Sequence, residues 1–460
     1  MDHEPPAADP KAGERPRAWQ EGWTEAARGS LSPNPYACSA PEFPAWFAGY
    51  FARHQPDRTA APTGGTAVRP DGPTAVPVEP PAAAAPPRDM PADRPASVAS
   101  AAAAAEAKPP QPAPGPGQKL AIPSPGFATR RPTLSNAELI PPHVHRAMDE
   151  VWSQAEFAAR EITFTVQPDA WVAHEGLVFD NNLEPHPGTT AGFTEADIAA
   201  ARAAIEEDRA AGWVWYHAGS HVLAKTRAPN DYGHFLTEGF PRAAITHRLM
   251  QEGDLHVILH RCSGNIMQLA YSALNRLGIT LDQIEVTGAE PHQFGVLIVV
   301  DGLESQGRYM SPLVVEEVGK LAADVAPGPY RKVYVKRGAT GTRTLVNEPV
   351  LLERLMREGY VAIDPGEMTL REQIAAFAGA QRVVGVYGAG MANIAFCPPG
   401  SRVGVIAPAT MPDASLWFIA QHRRQEYFEI RCPELPGDAE PSWNRSIAIA
   451  RTDIEFLASW

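Results

Sequence analysis

Hydrophobic and polar positions alternate with two different periods along the C-terminal two-thirds of this chain. Residues 161–166 read apolar-polar, as a half-buried strand does, while 255–259 and 294–300 are continuous apolar runs of strand length. Between and beyond them the spacing predicts helices over 194–211, 263–277 and 311–325, with a further strand at 283–286. The last third predicts a strand at 331–336, helices at 347–358 and 369–378, a strand at 382–386, a short helix at 390–396 and a strand at 402–406. Apolar strands alternating with helices predict an α/β fold of parallel sheets covered on both faces. Two such halves, meeting near 301–312, would enclose a cleft.

The first quarter lacks this patterning. Residues 55–127 are almost entirely Ala, Pro, Gly, Thr, Val and scattered charges, with too little bulky apolar surface to offset the entropy of ordering them, and predict a disordered linker. Ahead of it, Trp19 with Trp23 and Trp46 with Tyr50 are spaced i,i+4, and Ser32-Pro33-Asn34-Pro35 turns the chain between them. That predicts a small helical hairpin at 16–54 after a disordered tail, 1–15, and before two larger halves, 128–305 and 306–460.

Composition narrows the class. The 47 prolines among 460 residues confirm that part of the chain is linker rather than core. A net charge of -13 argues against general nucleic-acid binding. The charged, proline-rich start does not read as a signal peptide, and no apolar run reaches membrane-spanning length, so the expected setting is cytoplasmic, peripheral at most to the inner membrane. The 4 cysteines stand apart without a Cys-x-x-Cys pair, as reduced thiols do.

Ligands of open α/β sheets lie beyond the carboxyl ends of the strands, so the residues that follow each strand carry the chemistry. Tyr387-Gly388-Ala389-Gly390-Met391-Ala392-Asn393 follows an apolar strand and opens a helix, an arrangement suited to phosphate through backbone N–H groups and the helix terminus. Asn393 stands where a dinucleotide fingerprint has its third glycine, and the next acid, Asp413, lies well past the following strand, which counts against a nicotinamide-dependent oxidoreductase. Arg337 ends a strand and can pair with phosphate, and Asn347 is placed to cap the next helix. His234 and Glu238, i,i+4 after Asn230-Asp231, form a candidate base with an orienting carboxylate. His217 and His221 are also i,i+4, but the intervening Gly and Ser predict a loop, and no metal site is expected there. No Asp-x-Asp occurs anywhere in the chain.

Taken in order, Asn230-x-Tyr232-x-His234-Phe235, Pro241-Arg242, Tyr334-Val335-Lys336-Arg337, Asn347-Glu348, Glu372-Gln373-Ile374, and Gly388-Ala389-Gly390-Met391-Ala392-Asn393 with Pro398-Pro399-Gly400 resemble glycosyltransferase family 61. The resemblance extends over about 128–460. It implies a GT-B type fold, two Rossmann-like halves with a cleft between them, and inverting, metal-independent transfer from a nucleotide sugar, UDP-linked, with no other cofactor. The acceptor it implies is a glycan or lipid-linked glycan of a bacterial surface or capsular polysaccharide. Arg337, Asn347, Tyr387, Gly388, Ala389, Gly390 and Asn393 would bind the donor; His234 and Glu238 would act on the acceptor. Tyr387 departs from the family, which often has histidine at that position. The N-terminal aromatic segment resembles the ribosome modulation factor motif and implies a macromolecular partner for residues 16–54. The alternative expectation is a catalytically degenerate transferase-fold scaffold that docks through this hairpin.

Overall fold

The strand Arg382–Val386 is buried at all but its first residue, as a strand covered on both faces must be. It lies inside a six-stranded sheet ordered Val361–Ile363, Lys332–Val335, Arg382–Val386, Arg402–Pro408, Glu426–Cys432 and Thr133–Ser135, every neighbouring pair parallel. These elements belong to a computed structural model that describes residues 119–250, 255–305, 307–338 and 340–460. The tail at 1–15, the aromatic hairpin at 16–54 and the linker up to residue 118 lie outside the described residues.

The second sheet has seven strands and is mixed. Its main path runs Lys119–Ser124, Arg160–Ala173, His292–Asp301, Tyr216–Leu223, Leu255–His260 and Ile284–Thr287, with Leu177–Phe179 paired to Arg160–Ala173. From His292–Asp301 onward the neighbours are parallel, but both main-path partners involving Arg160–Ala173 are antiparallel. The expected all-parallel sheet is therefore corrected in this half. The reason is visible in Arg160–Ala173 itself, whose first half alternates buried and less buried residues, the signature of a strand with one wetter face.

Two expected boundaries also move. The linker predicted to reach residue 127 ends by Lys119, where Lys119–Ser124 takes up an edge position against Arg160–Thr165. Leu120 and Ile122 pack on the core there, and Pro123 is tolerated because an edge strand has a free side. Ser124 is fully buried and shares a hydrogen bond with Ser311 Oγ at 2.7 Å. Downstream, Thr133–Ser135 leaves the first half to join the parallel sheet beside Glu426–Cys432.

A continuous apolar core spans both sheets, taking in Val222, Val257 and Ile298 from one and Val333, Val383 and Val405 from the other. Helices carry it across: Pro312–Lys320 packs on Phe240–Leu249, on Ser415–His422 and on the 3-10 helix Ala389–Phe396. A buried polar group lies within this layer. Glu429 and Arg431, both 0% exposed, are ion-paired, the Tyr427 hydroxyl donates to Glu429 at 2.5 Å, and Arg431 also donates to the carbonyls of Pro408 and Met411.

Candidate active site

The carboxyl end of Tyr216–Leu223 leads through residues 224–231 into a helix of unusual build. One α-helical turn, Tyr232–His234, passes into the π-helical turn Phe235–Gly239 and then into the α-helix Phe240–Leu249. The Asp231 side chain caps its start, accepting from His234 N–H at 3.2 Å. Single π turns within helices recur at functional sites because they re-aim side chains. Here the turn leaves His234 Nδ1 2.5 Å from Glu238 Oε1. Glu238 is 14% exposed and the imidazole 42%, so the ring is held from behind and open in front. Burial disfavours the imidazolium, but the hydrogen bond and charge of Glu238, with Asp231 and Asp413 beside them, outweigh it and raise His234 to about 9. Arg242 continues the chain of charges, donating to Glu304 at 3.3 Å and lying 3.9 Å from Glu238.

The parallel sheet supplies the opposing groups. Arg337, just past Lys332–Val335, donates through Nε to the Thr342 carbonyl, through Nη2 to Thr342 Oγ1 and through Nη1 to the Tyr387 carbonyl, each at 2.9 Å. Three of its five N–H donors are used and two remain. A β-carbon on Gly388 would fall on Arg337 Nη1, so a side chain there displaces the guanidinium. A β-carbon on Gly390 would come within 3.1 Å of Pro365 and 3.3 Å of Val335. The first turn of Ala389–Phe396 thus presents its N–H groups beside the guanidinium.

A second cation was not foreseen. Arg343 is held in a left-handed conformation, φ 55°, and its Nε has no hydrogen-bond partner. Burial and then Arg343 lower Arg337 to about 10, which leaves it cationic at neutral pH. Burial likewise lowers Arg343, against the favourable charges of Asp231 and Asp413. Two guanidiniums beside a helix start are groups that pair with anions, and Asp231 and Asp413 already act on them. The available signal was the loop bracketed by Gly338 and Gly341, each at positive φ, which returns a second arginine six positions after Arg337.

Contact between the two halves is direct. Tyr232 donates to Asn393 Oδ1 at 3.1 Å, and a β-carbon on Gly233 would touch Ala389 Cα at 3.3 Å. His234, Glu238, Arg337, Gly388 and Gly390 are therefore elements of one region.

Three of the side chains expected to bind the donor have hydrogen-bond partners within the fold. Asn393 is 0% exposed, its amide committed to Tyr232, to Gln373 at 2.7 Å and to the Gly390 carbonyl. Asn347 occupies the cap position without capping; its amide bonds both backbone groups of Ile449, at 2.8 and 3.1 Å, and ties down the C-terminal segment. Tyr387 is buried with its hydroxyl on the Asp413 carbonyl at 3.3 Å, so the phenol faces the core and only its carbonyl serves the site, through Arg337. Ala389 contributes backbone alone to the helix start. A depression of about 840 Å³ lies elsewhere, over the helix Pro142–Trp152 among His145, Arg146, Asp149 and Glu150.

Residues 232–404 match the family model Glycosyltransferase 61, a span that starts at Tyr232 and contains both the His234–Glu238 pair and the glycine turn. The resemblance read from the sequence motifs is thus found again over this segment. No curated protein matches the chain. Among solved structures, the iron-containing dodecameric glycosyltransferase TibC from enterotoxigenic E. coli H10407 is similar at 14% identity and a TM-score of 0.26, over 49% of this chain and 67% of that one. At that score the likeness carries no argument about shared architecture. Among the described residues, no helix is long and apolar enough to cross a membrane.

Proposed function

We propose that this protein is an inverting glycosyltransferase of the GT-B type that moves a sugar from a nucleotide-sugar donor, UDP-linked, to a glycan or lipid-linked glycan acceptor of a bacterial surface or capsular polysaccharide. The observation that carries the reading is the convergence, inside the matched segment, of a histidine–carboxylate pair with two arginines at a glycine-bounded helix start.

In this reading the donor diphosphate lies against Arg337, Arg343 and the N–H groups that follow Gly388. An acceptor hydroxyl is deprotonated by His234 while its oxygen attacks the anomeric carbon from the face opposite the diphosphate. The ring gains positive charge and the leaving group gains negative charge, and cations already oriented toward the latter stabilise it without reorganisation. Glu238 holds the Nδ1 proton, so Nε2 is the atom left to accept. Transfer needs no metal at the diphosphate, whose charge the two arginines meet.

The raised pKa of His234 bears on this assignment, because the base form is the minority species below about 9. A turnover that rises with pH up to that value supports His234 as base. A turnover that falls above it assigns His234 a cationic role at the leaving group and leaves Glu238 as the base. Donor binding is tested by calorimetric titration of the full chain with UDP and UDP-sugars, with and without chelator. Binding that survives chelator and is lost in Arg337→Ala is expected; equal affinity in wild type and Arg337→Ala would overturn the donor site.

A further inference from the structure

At the other end of the mixed sheet, His217 and His221, expected in a loop, lie instead within the strand Tyr216–Leu223. In a regular strand residues four apart are separated by roughly 13 Å. Their rings nevertheless stand 6.0 Å apart between centroids. The cause is a bulge: pairing with His292–Asp301 slips between Phe294 opposite His217 and Val296 opposite Ser220, and Gly219 inside the slip has φ 93°. Both rings pack on Phe294. Adjacent parallel strands bring His256 opposite His221 and place Glu285 one strand further, so five titratable side chains gather, with His292 as the fifth.

We infer that His217, His221 and Glu285 bind one divalent transition-metal ion, of the zinc or ferrous class, which ties Tyr216–Leu223 to Ile284–Thr287 across the strand between them. One ligand atom from each lies within 4.8 Å of the others. His217 Nδ1 is 3.5 Å from Glu285 Oε2, against roughly 3.3 Å between two ligands of a tetrahedral ion bound at about 2.0 Å. His221 is 1% exposed and its Nδ1 has no hydrogen-bond partner, a cost that a bound ion removes. The other nitrogen of His217 shares a 2.9 Å hydrogen bond with His292 Nδ1, and His292 Nε2 meets Glu290 at 3.4 Å. A ligand histidine backed through its second nitrogen by an outer partner is the usual support of such sites. His256 Nδ1, 3.8 Å from Glu285 Oε1, stands as a fourth neighbour.

Imidazoles and a carboxylate, without thiolate, suit zinc or ferrous ion. His256 and Glu285 each stand second in their strands and His221 lies opposite His256, whereas His234 lies beyond the carboxyl end of Tyr216–Leu223. The ion's role is therefore structural and separate from transfer, and its failure would leave the proposed donor site untouched.

The test strips the full-length chain with chelator and titrates it with zinc, reading bound metal per chain, affinity and the unfolding temperature. One zinc per chain and a raised Tm are expected, with affinity lowered at least about tenfold in His221→Asn and in Glu285→Gln. Glu285, 33% exposed and nearly isosteric with glutamine, keeps the test readable should His221→Asn fail to fold. No zinc uptake by the wild type, or unchanged affinity and stoichiometry in Glu285→Gln, overturns the inference.

Discussion

Arg337 occupies the space a side chain at position 388 would need: a β-carbon on Gly388 would fall on its Nη1, which donates to the neighbouring Tyr387 carbonyl at 2.9 Å. The glycine turn and the strand-end arginine, 51 positions apart, are thus a single structural unit.

Gly388→Ala consequently acts on donor binding through Arg337. The displaced guanidinium loses charge-assisted bonds worth about 1.5–3 kcal/mol, so UDP affinity falls roughly ten- to hundredfold in calorimetric titration. Wild-type affinity in Gly388→Ala would show that Arg337 does not face the ligand.

Glu238→Gln removes the charge that most favours the His234 imidazolium. The histidine pKa, about 9 in the intact pair, moves down toward its ordinary value, and the rising limb of turnover against pH moves with it. Because the folded-state value is raised, the pair contributes stability fully below the unfolded histidine pKa, about 6.5, and loses it as pH rises through about 9. Denaturant midpoints measured from pH 6 to 10 should decline for the wild type and less so for Glu238→Gln.

Asn347→Ala separates the structural from the ligand-binding reading of that residue. Freeing both backbone groups of Ile449 costs about 1–3 kcal/mol in urea unfolding, with UDP affinity unchanged. A loss of affinity without a loss of stability would restore Asn347 to the donor site.

Arg431→Met leaves Glu429 buried without its ion-pair partner. Breaking a buried pair from one side costs roughly 3–5 kcal/mol, seen as a lowered urea midpoint. The double variant Arg431→Met with Glu429→Leu should recover much of that loss, since no lone charge is then buried.

The resemblance carried by motif order groups His234, Glu238, Arg337 and the Gly388–Gly390 turn, and local periodicity shows only that each follows or opens an element. The strand Arg382–Val386 has the bounds the apolar run predicts, and the helix at 194–211 is found as Glu195–Ala211, capped by Thr194. The strand Tyr216–Leu223 was not legible, since its Gly219 and Ser220 read as loop and its exposed half lacks a buried face. Arg343 was missed because its place depends on a glycine-hinged return of the loop rather than on periodicity.

What the sequence alone determined is therefore whatever short-range physics controls: the strands and helices set by hydrophobic period, the ends set by caps, and the chemistry available at each strand end. What only the tertiary structure decided is which polar groups are spent. Asn347, Asn393 and Tyr387 have the same donors and acceptors in either role, and the fold supplies them with partners from distant segments, 102 positions away at Ile449 for Asn347 and 161 at Tyr232 for Asn393. The histidine cluster arises in the same way. His217, Glu285 and His292 meet because parallel pairing and one bulge bring together strands that the chain itself keeps far apart.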